Sequence, residues 1–389
     1  MKLVVTIPAQ NEEKTIAQVV RGVPRELPGI TEVEVIVMDD GSTDATARLA
    51  REAGAIVVPI HGRPGLGRVF KTGMDRAMRR GADIICNIDG DGQFNPADIA
   101  KLVIPILSDD ADFVTCSRFK DPSLWPTMPK VKFWGNGVVT RMINWVCGGT
   151  TFSDVSCGFR AFSREAAYRL TLFGRYTYTQ ECFIDLFSKG MRIVEVPLAV
   201  RGVREHGKSR VAGSVIKYAT NSLPIIVRAM RDIQPLKFFG GIAATLAIPS
   251  LAMALIVAGW YGYTAILEDR ARTSPFTQLI TISGIGLVLA FGMGMLALLA
   301  DMMGRHRRIS EELLYLARKK LYQNRRPPKP VHAAVHTSHR LSLHDSWVLP
   351  VIKSVPENSV TVNDDDGSVD EDVVEETILA TREPAGARG

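Results

Sequence analysis

Two stretches of this chain, residues 238–267 and 273–300, contain no charged residue. Each is long enough to cross a hydrocarbon core of about 30 Å as a helix. Pro249 and several glycines interrupt them, which membrane helices tolerate. A chain with two such stretches must either bury them as a helical hairpin or place them in a bilayer. The flanks favour the bilayer. Arg228, Arg231 and Lys237 precede the first stretch, Arg305, Arg307, Arg308, Arg318, Lys319 and Lys320 follow the second, and the loop 268–272 between them is short. Basic flanks resist translocation, so both termini and everything before the first stretch are expected in the cytoplasm. The expectation is an integral membrane protein of the cytoplasmic or endoplasmic-reticulum membrane, with contact between membrane helices of two copies left open.

The first half reads differently. Apolar runs at 2–8, 34–38, 56–59, 83–88 and 113–117 predict strands, and helical patterns at 45–53, 68–80 and 95–107 fall between them. Asn11 is a plausible N-cap for a helix directly after the first strand, and Ser42 or Thr43 for the helix at 45–53. Strands alternating with helices predict a Rossmann-like, mostly parallel α/β sheet, whose ligands sit beyond the strands' carboxyl ends. Pro8 to Glu12, Asp39 and Asp40, Asp89 to Asp91, and Ser117 with Arg118 all fall at that edge. No G-x-G-x-x-G follows the first strand and no G-x-x-x-x-G-K-[ST] occurs, which argues against a dinucleotide-dependent dehydrogenase or a P-loop kinase.

Within that edge, Ile88-Asp89-Gly90-Asp91-Gly92-Gln93 carries the clearest chemistry. Two carboxylates one residue apart repel each other unless a cation neutralises them. A few hard oxygen ligands suit Mg²⁺ or Mn²⁺, which keep positions for water and a substrate's phosphates. Asp89 and Asp91 are therefore candidate metal ligands, with the Gln93 amide oxygen as a third.

Four clusters at the edge, Ile7-Pro8-Ala9-Gln10-Asn11-Glu12, Met38-Asp39-Asp40-Gly41-Ser42-Thr43-Asp44, Ile88 to Gln93 and Ser117-Arg118-Phe119, resemble successive motifs of family 2 glycosyltransferases of the GT-A fold. Asp154 to Arg160 (DVSCGFR), Glu195-Val196-Pro197 and Arg204 to Arg210 (REHGKSR) resemble, more narrowly, the polyprenyl-phosphate sugar synthases, of which dolichol-phosphate mannose synthase is the type example. The resemblance covers roughly residues 1–235. It implies a divalent cation (Mg²⁺ or Mn²⁺) on Asp89, Asp91 and Gln93. Pro8, Gln10, Glu12, Asp39, Asp40 and Asp89 would bind the nucleotide sugar, although turn formation explains Asp39 and Asp44 equally well. Ser117, Arg118, Arg204, Lys208, Ser209 and Arg210 would hold the acceptor's phosphate, and Asp91, Arg118 and Arg204 would be catalytic. Arg210 stands where many relatives have lysine, and keeps the charge. The Gln-x-x-Arg-Trp of processive polysaccharide synthases is absent, so transfer of one sugar, from a GDP-mannose or UDP-glucose type of donor to a dolichyl or undecaprenyl phosphate, is implied.

Two other readings remain at this stage. The same fold could glycosylate a lipid or protein hydroxyl, which needs a general base, with Glu181 the best-placed acid. A catalytically retired scaffold that binds nucleotide and recruits membrane partners is the third, and the joint presence of Asp89, Asp91, Arg118 and Arg204 argues against it.

The expected organisation is a GT-A domain at 1–213, interfacial amphipathic helices at 214–237, two transmembrane helices at 238–301, a cytoplasmic basic helix at 302–324 and a disordered tail at 325–389. The formal charge of +6 is uneven, with basic residues near 201–237 and 305–329 and acids in the tail. Basic residues beside apolar stretches suit a membrane surface, and no nucleic-acid partner is expected. Trp125, Trp134 and Trp145 suit either that interface or an ordinary core. Cys86, Cys116, Cys147, Cys157 and Cys182 form no CxxC pair, and with no secretory signal ahead of the first strand they read as buried free thiols of a reducing compartment.

Overall fold

The run KLVVTIPA forms β1 (Lys2–Ala9), and Leu3, Val4, Val5 and Ile7 within it are fully buried on both faces. A strand apolar on both sides belongs in the middle of a parallel sheet. The computed structural model describes residues 1–62, 65–172, 174, 178–202, 204, 224, 227–228, 230–267 and 277–323. In it β1 lies between β2 (Glu32–Asp39) and β4 (Ile84–Asn87), within a seven-stranded sheet of order β3-β2-β1-β4-β6-β5-β7. The remaining strands are β3 (Ile56–Pro59), β5 (Phe113–Ser117), β6 (Arg160–Ser163) and β7 (Ile193–Pro197). Helices α1 (Ile16–Gly22) and α4 (Ile99–Leu107) close a core against Leu3, Val5, Ile7, Val37 and Val114. On the other face α3 (Leu66–Arg79), α6 (Arg164–Arg169) and α7 (Thr179–Ser188) pack on Val4, Ile36, Ile85, Phe113 and Phe162. All five cysteines are buried free thiols.

The fold is the mostly parallel α/β architecture expected, with two strands, β6 and β7, that the pattern did not reveal. Strand β6 runs antiparallel between β4 and β5, and its first residue, Arg160, pairs with both Asn87 and Thr115. An antiparallel strand starts where its parallel neighbours end. The loop before it, residues 153–159, is thereby delivered to the sheet's carboxyl edge.

Two expected helix caps are corrected. Asn11 does not cap a helix directly after β1. It takes a left-handed conformation (φ 53°), and α1 begins only at Ile16. Asparagine tolerates that region, and here it joins two loops. The Asn11 N–H donates to Ser42 Oγ (3.0 Å), while its Oδ1 accepts from the Thr43 N–H (2.8 Å). Ser42 and Thr43 are thus engaged with the first loop, and Asp44 supports the start of α2 (Thr46–Glu52) by accepting from the Thr46 N–H at 3.0 Å.

The apolar stretches form α8 (Pro235–Leu267) and α9 (Thr277–Gln323), which pack against each other with Gly286 closely opposed to Ser250. Their most apolar windows are only 11% and 17% buried, so little of either apolar surface is covered by the rest of the described residues. Ile248, Leu255, Val288, Phe291 and Leu298 all face outward. At 47 residues, α9 spans about 70 Å and continues unbroken through the basic segment at 302–323.

The end of α9 docks on the sheet domain. Arg318 Nη1 donates to the carbonyls of Tyr168 (3.0 Å) and Leu170 (2.7 Å), satisfying the C-terminal carbonyls of α6. Tyr322 donates to Asp75 on α3 (2.6 Å), and Tyr315 to Glu165 on α6 (3.2 Å). Most of 214–237, read as interfacial helices, and the tail from 324 lie outside the described residues.

Candidate active site

The turn after β4 is shaped by close approach. A Cβ on Gly90 would lie 3.3 Å from the Pro8 carbonyl oxygen, Ile7 and Ile16, while Gly92 has a φ of +73°, conditions that favour glycine. Thr15 Oγ1 donates to the Gly90 carbonyl (2.7 Å), and the Gln93 N–H donates to Asp91 Oδ1 (3.0 Å). The Gln93 side chain donates through Nε2 to the Arg201 carbonyl (2.7 Å), joining the turn to the strand exit after β7. Asp89 lies against Gly158, where an added Cβ would come within 2.9 Å of its Oδ2.

Desolvation, then the neighbouring Asp91 charge, push the Asp89 carboxyl up to about 7, against the pull of Arg204 and Arg160. Arg160 is fully buried and donates to the Cys157, Thr179 and Val155 carbonyls (2.7, 2.7 and 3.0 Å). Arg204 reaches in above, with Nη1 3.0 Å from Glu12 Oε1 and Nε 2.8 Å from Asp91 Oδ2. The second contact is an ion pair without the alignment of a hydrogen bond. Acids surrounded by cations in this way, one of them reluctant to ionise, make a site that gains from a further positive charge. Among the described residues no group of three His, Cys, Asp or Glu is ready to hold a metal. The two carboxylates of Asp89 and Asp91, side by side in one turn, suit a cation such as Mg²⁺ or Mn²⁺, which takes one or two carboxylates and leaves its other positions to water and phosphate oxygens.

Asp40 lies at the same sheet edge, in the loop after β2, one strand removed from β4. Its Oδ1 lies 3.2 Å from Arg68 Nη2, and Oδ2 accepts from the Gly65 N–H (3.4 Å). Arg68, near the start of α3, also donates to the His61 carbonyl. Nothing in the sequence beyond its place after a glycine-rich loop pointed to it. Asp39 is 8% exposed and accepts from the Ser42 N–H (3.0 Å), a contact within the turn. Pro8 and Gln10 close the same edge from β1.

A third group is built around Arg118. Its Nε and Nη2 donate to the two carboxylate oxygens of Asp154 (2.6 and 2.9 Å), and its backbone N–H donates to Oδ2 (3.2 Å). Burial works against the Arg118 charge, and Asp154 more than offsets it, so the guanidinium pKa is raised. Asp154 is fully buried. It is held in turn by Glu195 of β7, which accepts from the N–H groups of Ser153 and Asp154 (2.9 Å each). Glu195 and Asp154 thus position Arg118 through a fixed chain of bonds, a role that naming their motifs did not reveal. Ser117 is 1% exposed, its Oγ sharing a hydrogen bond with Ser153 (2.7 Å) and accepting from the Phe119 and Lys120 N–H groups. That hydroxyl shapes the turn. Glu181 accepts from the Gly174 N–H at 2.9 Å. Lys208, Ser209 and Arg210 lie outside the described residues.

The contact at Gly158 gives a direct expectation. Gly158→Ala should strongly reduce the transfer activity expected from the sequence, because the methyl group must displace the Asp89 carboxylate. Transfer assays with a parallel melting curve would check this, and a variant of unchanged activity would show that Asp89 needs no fixed seat.

The sequence profile of glycosyl transferase family 2 matches residues 4–171. The UDP-N-acetylglucosamine–dolichyl-phosphate N-acetylglucosaminyltransferase of Methanococcus voltae is 33% identical over 212 residues, 49% of this chain and 82% of that one. The polyprenol monophosphomannose synthase of Mycolicibacterium smegmatis is 30% identical over 233 residues, 56% and 84% of the two chains. A crystal structure of the glucosyl-3-phosphoglycerate synthase of Mycobacterium tuberculosis, in complex with Mn²⁺ and UDP-glucose, gives a TM-score of 0.47 at 25% identity, covering 58% of this chain and 78% of that one. The chain belongs to glycosyl transferase family 2.

Proposed function

We propose that the protein is a membrane-bound inverting glycosyltransferase that moves one sugar from a nucleotide sugar to a polyprenyl phosphate. One observation carries this. Asp89, Asp91 and the Asp154-held Arg118 share an edge with Arg204, and Arg204 precedes the segment that leads into two outward-apolar helices. A site for a phosphorylated donor is thereby joined to a route for a lipid. Relatives named for transfer to dolichyl phosphate and for polyprenol monophosphomannose synthesis support the acceptor class.

Asp89, Asp91 and Gln93 would hold Mg²⁺ or Mn²⁺, which when bound neutralises the charge of the departing nucleoside diphosphate. Asp40, fixed by Arg68, accepts hydrogen bonds from the ribose or base, with Pro8, Gln10 and Glu12 beside it. Arg118, Arg204 and the 208–210 cluster receive the acceptor's phosphate. That phosphate is mostly dianionic at pH 7, with a second pKa of about 6, and attacks without a general base. Its oxygen bonds to the anomeric carbon from the face opposite the leaving group. The carbon–oxygen bond to the diphosphate breaks, its electron pair leaving with the nucleoside diphosphate, and the anomeric centre inverts. Helices α8 and α9 cross the bilayer, with both chain ends cytoplasmic and 268–272 outside.

Incubating the purified chain with polyprenyl phosphate and a panel of labelled nucleotide sugars tests the reading. A lipid of the mass of one added sugar, lost in excess EDTA, is the expected product. Transfer that persists in EDTA overturns the metal assignment, and absence of a lipid product from every donor overturns the function.

Arg204 adds a prediction of its own. Its charge competes for Asp91, so Arg204→Ala should tighten Mn²⁺ binding to the donor-free protein by about tenfold while lowering transfer. Calorimetric titration with Mn²⁺ alone reads the first effect, and unchanged or weaker binding would mean that the ion pair does not oppose the cation.

A further inference from the structure

A cavity of about 780 Å³ opens where the sheet domain meets both apolar helices, within the range of roughly 300–1,000 Å³ usual for ligand sites. One wall is apolar. It comes from Val146 at the end of α5 (Lys130–Val146), from Ile184 and Phe187 of α7, and from Ile233 and Pro235 at the entry to α8. The facing wall is a stripe of α9, Asp301, Gly304, Arg305, Arg308, Glu312 and Tyr315, whose steps of three and four residues put them on one side of the helix. None of Asp89, Asp91, Arg118 or Arg204 lines the cavity. Lys189, which does, shortly precedes β7, and the start of β7 pairs with the start of β5. The cavity therefore lies toward the sheet's amino edge, away from the candidate active site.

The charges around it are unequally engaged. Arg169 is held by Glu165 (2.9 Å) and Glu312 (3.4 Å), and Lys189 by Asp185 (2.9 Å) and Glu311 (3.5 Å). Arg307 is shared by Asp232 (3.4 Å) and Glu311 (2.7 Å). Arg305 pairs with Asp301 at 3.1 Å, but its side chain is 72% exposed, and such a pair contributes little. Arg308 makes no ion pair among the described residues. Two guanidiniums one turn apart, one unpaired and one weakly paired, make a seat for a phosphate. Asp301 and Glu312 beside them would accept from hydroxyl or ammonium donors on the same ligand. The charge-free run of α9 ends at Ala300, so Arg305 and Arg308 stand about 7 and 12 Å further along the axis. That is the level of lipid headgroups if α9 spans a bilayer.

We propose that this cavity binds one glycerophospholipid of the surrounding leaflet, its phosphodiester on Arg305 and Arg308 and its glycerol backbone against Ile184, Phe187 and Ile233. This rests on the reading of α8 and α9 as membrane-spanning. The lipid is a structural ligand and not a substrate. It fills the space between α7, the entry to α8 and the charged part of α9, apart from the docking contacts of Arg318 and Tyr322, and a ligand held only by the folded chain stabilises it. Gly304 keeps the space open, since a Cβ there would meet nothing within 4 Å.

The test titrates phosphatidylglycerol into the full chain in detergent micelles, reading bound lipid by native mass spectrometry and the melting temperature in parallel. The parent is expected to hold one phosphatidylglycerol above a weakly bound background and to melt higher as lipid is added. Arg308→Ala loses a charge-assisted phosphate contact and should weaken that lipid about tenfold. Gly304→Leu places a side chain in the open space and should lose the lipid, while melting like the parent when no lipid is present. Lys237→Ala removes an exposed cation outside the cavity and should bind as the parent does. Parent-like binding in both Arg308→Ala and Gly304→Leu, or equal weakening in Lys237→Ala, overturns the proposal. Equal protection by inorganic phosphate would also overturn it, by making the ligand a free anion. A chain that needs detergent to stay in solution but holds no lipid overturns the proposal and leaves the spanning helices standing. A chain that stays in solution without detergent removes the spanning reading, and the proposal with it.

Discussion

Asp91→Asn is expected to lower sugar transfer by about a hundredfold to a thousandfold, the usual loss when a group that stabilises developing charge is removed. The substitution keeps the shape of the side chain and an oxygen for the Gln93 N–H, which donates to Asp91 Oδ1 at 3.0 Å. It removes the negative charge paired with Asp89 and leaves Arg204 with Glu12 as its remaining acidic contact of the two. The turn itself stays held by Thr15 on Gly90 and by Gln93 on Arg201, so folding should change little. Single-turnover transfer at saturating cation, beside a thermal melt, separates the two effects. A variant that transfers within a few-fold of the parent would remove Asp91 from the cation site.

Asp154→Ala should act chiefly on stability. Asp154 is fully buried, makes a two-pronged contact with Arg118 and accepts from the Ser156 N–H at 3.1 Å. Deleting one partner of a buried ion pair strands the other charge and costs about 3–5 kcal/mol. For a domain of this size that is a fall in melting temperature on the order of 10 °C. Asp154→Asn preserves volume and should cost less, yet it still frees Arg118 from its ionic hold. For that variant the expected kinetic signature is a raised KM for the lipid acceptor with the nucleotide-sugar KM unchanged. Melting within a degree of the parent for Asp154→Ala would show that the pair is not structural.

The chemistry-bearing edge was legible because β1, β2, β4 and β5 are strongly apolar and each ends in polar residues, and β5 falls on the residues expected, Phe113–Ser117. Strand β6 escaped notice because RAFS is short, polar at its start and antiparallel among parallel neighbours, so neither period nor length marks it. With it went the seat of Asp89 against Gly158. Asn11, Ser42 and Thr43 misled for a different reason. Short polar side chains that can cap a helix can equally join two loops, and local sequence does not distinguish the two. Hydropathy ends the second apolar stretch at Asp301, but the backbone answers to helix propensity, and α9 continues to Gln323. The contacts of Arg204 with Asp91 and Glu12 join residues remote in sequence. Spacing gave no hint that a cation assigned to the acceptor would also touch the donor-side acids.

Offering the purified chain a polyprenyl phosphate and the matching polyprenol side by side, with one labelled nucleotide sugar, tests the central claim most directly. A phosphate nucleophile needs no general base, and an alcohol does. The expected result is an inverted sugar on the lipid phosphate alone, with the alcohol untouched. Comparable transfer to the alcohol would contradict the account, because it would require a base that the proposed mechanism does without.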